Sequence, residues 1–208
     1  MMAKVELDLK VQQELQEYKE KETIKSDVLV NGSVFQIWKV RLPFLIITLI
    51  GGMLAGAVVG AFEEALEAIV ILAVFIPVIM DMGGNAGTQS SSIFTRAFVL
   101  GQISFDKWKK HLGKEVLVGI SMGAVLGVAA CLIAYLWQGI FALGLVVGLS
   151  LFFTVTIATT IGFLIPYILV KLGFDQAAGS DPFITTIKDV TGLLIYFGLA
   201  SVLLAHLM

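Results

Sequence analysis

Apolar residues run through this chain in five long blocks, at about residues 42–62, 66–94, 115–137, 139–170 and 183–207, separated by shorter polar or charged segments. Each block matches or exceeds the ~20 residues a helix needs to cross a ~30 Å hydrocarbon core. The pattern predicts an all-α membrane protein with five transmembrane helices per subunit, and the longer blocks imply tilt or continuation into water. The second block is interrupted by Pro77 and a run of glycines and amides. Residues 1–36 read differently: Val5, Leu7, Leu9, Val11, Leu15 and Tyr18 lie among Glu14, Glu17, Lys19, Glu20, Lys21 and Glu22, as in a short amphipathic surface helix of mixed charge. This segment lacks the layout of a secretory signal and is expected to stay on the mature protein.

Basic residues orient the spans. Lys4, Lys10, Lys19, Lys21, Lys25, Lys39 and Arg41 precede the first; Arg96, Lys107, Lys109, Lys110 and Lys114 lie between the second and third; Lys171 lies between the fourth and fifth. The intervening segments, and the tail after the fifth span, hold no Lys or Arg. By the positive-inside rule the N-terminus is cytosolic and the C-terminus outside, which an odd number of spans requires. The expected division is a short cytosolic segment over 1–36 and a five-helix transmembrane domain over 37–208, in an inner (plasma) membrane and in contact with lipid.

Composition agrees, with 58% hydrophobic and 14% charged residues and a mean hydropathy of +0.94, well beyond an ordinary soluble domain. The net charge of −2 and the scattered basic residues exclude nucleic acid as a partner. Cys131 is the sole cysteine, so no intramolecular disulfide and no Cys-based zinc cluster can form within one chain.

Small residues recur every fourth position at Gly52, Gly56 and Gly60, at Gly119, Gly123 and Gly127, and at Gly144 and Gly148, which predicts close helix packing. Gly119-Ile120-Ser121-Met122-Gly123 also matches the G-x-S-x-G pattern of serine hydrolases. That pattern carries meaning only on a strand-to-helix turn, and here it sits inside an apolar helix. With no P-loop, H-E-x-x-H or nucleophile arrangement either, an intramembrane enzyme is disfavoured and no catalytic residue is assigned.

Ionisable residues within spans are costly and are the default functional candidates. Asp189 leads them. It sits one to two turns into the last helix, with Thr185 and Thr186 four and three residues before it and Gly192 three after, so helical spacing puts a carboxylate, hydroxyls and bare backbone on one face. Such a face suits a hard divalent cation that prefers oxygen and keeps its waters. Lys188 points about 100° away and is expected to snorkel toward the cytosolic interface.

The second feature is Pro77-Val78-Ile79-Met80-Asp81-Met82-Gly83-Gly84-Asn85-Ala86-Gly87-Thr88-Gln89, where regular helix is expected to be disturbed. Irregular backbone at membrane depth is tolerated only against protein or a water-filled cavity, so the segment reads as pore lining, with Gly84 and Asn85 as candidate ion contacts. Asp81 fits that pathway equally with a pairing to Lys188 or Arg96. Glu63, Glu64 and Glu67 fit a cation-collecting outer mouth and an ordinary solvated loop equally. His111 and His206 read as interfacial residues.

Pro77 through Gln89 fits P-x-x-x-x-M-x-G-N-x-G-x-Q, with Pro77, Met82, Gly84, Asn85, Gly87 and Gln89 in its fixed positions. Arg41-Leu42-Pro43, Phe62-Glu63, Pro182-Phe183-Ile184-Thr185-Thr186 and Asp189-Val190-Thr191-Gly192 complete a resemblance to the MgtE family of magnesium channels and transporters over about residues 37–208. The resemblance implies a homodimer with five helices per subunit, a pore lined by the second and fifth, and Mg²⁺ drawn to the fifth-helix aspartate, here Asp189. It implies no organic cofactor. Family members carry a large cytosolic N domain and paired CBS domains, where this sequence has about 36 residues. The leading expectation is a passive Mg²⁺-selective channel. A Na⁺- or H⁺-coupled divalent cation exchanger of the same fold and a non-transporting accessory membrane protein are the alternatives.

Overall fold

The computed structural model describes residues 26–103, 107–174 and 176–205 together with isolated positions between 13 and 24. The amphipathic helix expected near the N-terminus falls mostly outside the described residues. Six helices follow: α1 (Val34–Ala61), the short α2 (Glu63–Ala68), α3 (Leu72–Val99), α4 (Trp108–Gln138), α5 (Phe141–Lys171) and α6 (Gln176–Leu203). Apart from α2, they contain 28 to 31 residues each, or about 42–46 Å at ~1.5 Å per residue. Among the described residues α1, α4, α5 and α6 are long and apolar enough to cross a membrane. Helix α3 has the same reach but carries polar positions along its middle.

Local signals set the boundaries. At the start of α1, Gln36 Oε1 accepts the Ser33 backbone N–H at 2.8 Å, the return half of a capping box. Between α4 and α5, Gly139 adopts φ +72° and donates to the Tyr135 carbonyl at 2.8 Å. Only a residue without Cβ takes that left-handed conformation cheaply, so the chain reverses within two residues and the helices pack antiparallel. At the end of α3, Gly101 (φ +70°) does the same, with Gln102 N–H bonded to the Ala97 carbonyl at 2.8 Å.

Helix α5 is the hub, packing against α4, α3 and α6, while α1 leans on α6. One core joins Leu72, Phe75 and Ile79 of α3 to Val147 and Leu151 of α5 and Phe197 of α6. A smaller cluster of Phe94, Phe98, Phe163 and Tyr167 closes the other end. Lipid is as apolar as leucine, so burying these side chains supplies little hydrophobic drive, and close backbone approach matters more. The glycines provide it. A Cβ on Gly123 would stand 2.7 Å from the Phe152 carbonyl oxygen, and one on Gly148 would stand 2.6 Å from that of Gly127.

Two expectations are corrected. Helix α3 runs unbroken from Leu72 to Val99 through Pro77 and every glycine; the interruption falls earlier, between α2 and α3. Pro77 lies in the second turn, where only one donor is lost, and the glycines serve close approach of neighbours. The stripe of Gly52, Gly56 and Gly60 has nothing within 4 Å of where a Cβ would stand. It therefore faces away from the rest of the chain, whereas Gly51 and Ala55 are the buried positions of α1.

Gly148→Val is expected to cost about 1–3 kcal/mol through overpacking against backbone that cannot retreat. Gly56→Ala, entering open space, is expected to hold or raise stability by no more than ~1 kcal/mol. Thermal unfolding of the two purified variants in detergent checks the contrast.

Candidate functional site: a buried ion pair between α3, α5 and α6

Helix α6 carries Asp189 and Lys188 inward, with 7% and 6% of their surfaces exposed. Charges at that depth must be paired. Lys188 Nζ stands 2.6 Å from Asp189 Oδ1 and donates to the Met80 carbonyl of α3 at 2.5 Å. Oδ1 is buried, and its partner is the Lys188 ammonium.

Glycines of α3 make the seat. A Cβ on Gly84 would stand 3.1 Å from Lys188 Nζ, and one on Gly83 would stand 3.4 Å from Lys188 Cδ and 2.7 Å from Thr154 Cγ2. Gly192 of α6 faces Thr154 of α5 in turn, where an added Cβ would stand 3.3 Å from its Oγ1. That hydroxyl is buried without a hydrogen-bond partner. Asp189, Lys188, Thr154, Gly83, Gly84 and Gly192 thus share one junction of three helices.

The proposed ligand face of α6 is only partly assembled. Gly192 meets α5 and α3, whereas Thr186 turns toward α1, where its buried, unpartnered Oγ1 lies against Gly51. Thr185 is half-buried. Thr186 and Gly192 are six residues apart, about 120° around the helix, so one face cannot hold both. On α3, Asp81 and Asn85 are both exposed, and Asn85 Nδ2 donates to Asp81 Oδ2 at 3.0 Å. Asp81 is thereby engaged on its own helix, and Lys188 has gone to Asp189. Glu63, Glu64 and Glu67 lie exposed on α2.

The snorkelling expected of Lys188 is overturned: the absent side chains at Gly83 and Gly84 admit its stem, and the Met80 carbonyl and Asp189 hold its head. The sequence pattern read these glycines as a disturbance of the helix and did not show that a side chain would seat against them. Thr154 and Glu115 also escaped notice. Thr154 lies among the hydroxyls of an otherwise apolar helix, and Glu115, which accepts from the buried Ser90 Oγ at 2.8 Å, follows Lys114 and reads as an interfacial charge. Among the described residues no group of three or more His, Cys, Asp or Glu gathers at one point.

Long apolar helices packed through glycine contacts around an internal ion pair define a multi-pass membrane protein with a polar interior. Residues 76–199 match the family model MgtE, described as divalent cation transporter. Three similar proteins are each named magnesium transporter MgtE. That of Bacillus subtilis is 35% identical over 195 residues, covering 94% of this chain and 43% of its own length. That of Enterococcus faecalis is 39% identical over 80% of this chain and 37% of its own length. That of Thermus thermophilus is 37% identical over 81% and 37% respectively. The chain belongs to the MgtE family, and it spans about two fifths of the length of these relatives.

Thr154→Val keeps the shape and removes a stranded hydroxyl, so stability is expected to hold or rise by about 1 kcal/mol. A fall of that size in thermal unfolding would mean that water or another group satisfies the hydroxyl.

Proposed function

We propose that the chain carries Mg²⁺ across the membrane as a passive, Mg²⁺-selective channel, working as a homodimer whose pore is lined by α3 and α6, with Asp189 as the ion site. On this reading α3 is the second of five spans, α6 the fifth, the N-terminus cytosolic and the C-terminus outside. The observation that carries it is the buried Asp189 carboxylate beside the polar helix α3. Asp81, Asn85, Thr88 and Ser92 recur at helical spacing on α3 and are exposed in the single chain, with Gln89 beside them. Polar groups facing hydrocarbon cost several kcal/mol each, which favours water or a second copy against this stripe.

The single carboxylate favours pairing as well. One aspartate per chain is a weak site, and a two-fold axis doubles it. Mg²⁺ is suited to such a site because it keeps most of its waters and takes one or two carboxylates. The relatives' shared name, magnesium transporter, supports the ion.

Purified protein in liposomes enclosing an Mg²⁺-sensitive dye, at fixed membrane potential and without Na⁺ or pH gradients, is expected to admit Mg²⁺. Asp189→Ala is expected to abolish the influx. Influx that appears only with a Na⁺ or H⁺ gradient would replace the channel by an exchanger, and wild-type influx unaffected by the substitution would remove Asp189 from the pathway.

A further inference from the structure

Beside the carboxylate that this reading gives to the ion stands a fixed positive charge of the chain itself. Neighbouring side chains on a helix leave about 100° apart, so Lys188 reaches Asp189 only because its stem is folded inward. A lysine near a helix end ordinarily runs its stem along the apolar surface and leaves its head in water. Here the stem is taken in over Gly83, the head lies over Gly84, and the Met80 carbonyl holds it at 2.5 Å. The seat is built from α3, a helix other than the one that bears the lysine. Thr154 of α5 and the two glycines of α3 bring no charge to the junction, so Lys188 and Asp189 are each other's counter-ions there.

We infer that Lys188 is a tethered counter-cation that competes with the transported divalent ion for the Asp189 carboxylate, and so sets how tightly the ion is held. The inference rests on Asp189 being the ion site. Two bare aspartates facing each other would present a charge of −2 to a divalent cation and would retain it. With Lys188 seated, each chain contributes no net charge. Conduction requires an ion bound well enough to enter and weakly enough to leave, and an internal competitor meets both needs. Exchange is open to the carboxylate because the ammonium keeps a second partner in the Met80 carbonyl when the carboxylate turns to the ion.

The test is Mg²⁺ titration of the purified full chain by calorimetry, with the concentration for half-maximal influx measured in liposomes. Lys188→Met keeps an unbranched stem of similar length and is expected to lower the half-saturating Mg²⁺ by about tenfold or more, since a repulsive charge a few ångströms from the ion is gone. Maximal influx should fall as release slows. Lys188→Arg keeps the charge, so its half-saturating Mg²⁺ is expected to lie well above that of Lys188→Met. Lys188→Met with unchanged or weaker binding would overturn the inference and leave Lys188 as a clamp between α3 and α6. Asp189→Asn separates the two readings: if it abolishes binding while Lys188→Met changes nothing, only the competitor is lost; if binding survives it, Asp189 is not the ion site and both fall. Should Lys188→Met fail to fold, acylation of Lys188 in the wild-type protein, read by mass spectrometry, decides. Mg²⁺ is expected to raise it several-fold by freeing the ammonium, and this rise should vanish in Asp189→Asn. No rise in the wild type overturns the inference.

Discussion

A charge buried at membrane depth must find its opposite within the protein, and the contact between Lys188 and Asp189 is where this chain meets that demand. Much else is arranged around it. The ammonium also needs the Met80 carbonyl, which brings α3 against α6. That approach needs Gly83 and Gly84 bare, and the same junction needs Gly192 bare so that Thr154 of α5 can enter. Three helices are thus tied at one point by polar groups, while the core of Leu72, Ile79, Val147 and Phe197 fills the space beside it. In lipid the apolar part alone would not specify the arrangement, because leucine gains little by leaving acyl chains for another helix.

The helices themselves were legible because hydropathy marks the part of each that lies in hydrocarbon: four of the apolar blocks fall on single long helices, and the second starts on the short α2 and continues along α3. Their ends were less so. Helix α1 begins at Val34 and not near 42 because a capping pair, Ser33 and Gln36, starts it outside the apolar run. Helix α6 begins at Gln176 because Pro182 is tolerated within its first two turns. The site was half legible. Asp189 stands out as an acid in an apolar helix, and the glycines of α3 stand out by number. What no linear pattern contains is which side chain fills a glycine's vacancy, since Lys188 and Gly84 are over a hundred positions apart. Without the seat, a lysine one residue from an aspartate points elsewhere on the helical wheel, and snorkelling is the natural reading.

Glycine spacing proved ambiguous for a related reason. The runs in α4 and α5 are contact surfaces, with Gly127 and Gly148 meeting backbone to backbone, yet the same four-residue rhythm in α1 touches nothing in the chain. Small residues license close approach without naming a partner. A burial pattern resolves what the rhythm leaves open: α5 has buried positions along its whole length, whereas α1 buries only Gly51 and Ala55.

Hydroxyl groups sharpen the distinction between structure and site. In an apolar helix a Ser or Thr can satisfy itself by donating to the carbonyl four residues back. Thr48, Thr95, Ser150, Thr156, Thr159, Thr160 and Thr191 all do so, at 2.6 to 3.0 Å. These residues need nothing further from their surroundings. Thr154, Thr186 and Ser180 depart from that habit, their buried hydroxyl oxygens unpartnered within the chain. Thr186 lies one turn before Asp189, and Thr154 packs against the glycines that frame Lys188. Stranded polar atoms are expensive in a dry interior and inexpensive where water reaches. Thr154 and Thr186 lie near the carboxylate, which favours water there on the reading that gives Asp189 to a hydrated cation, whereas Ser180, nine residues earlier on α6, shows that a stranded hydroxyl by itself marks no passage.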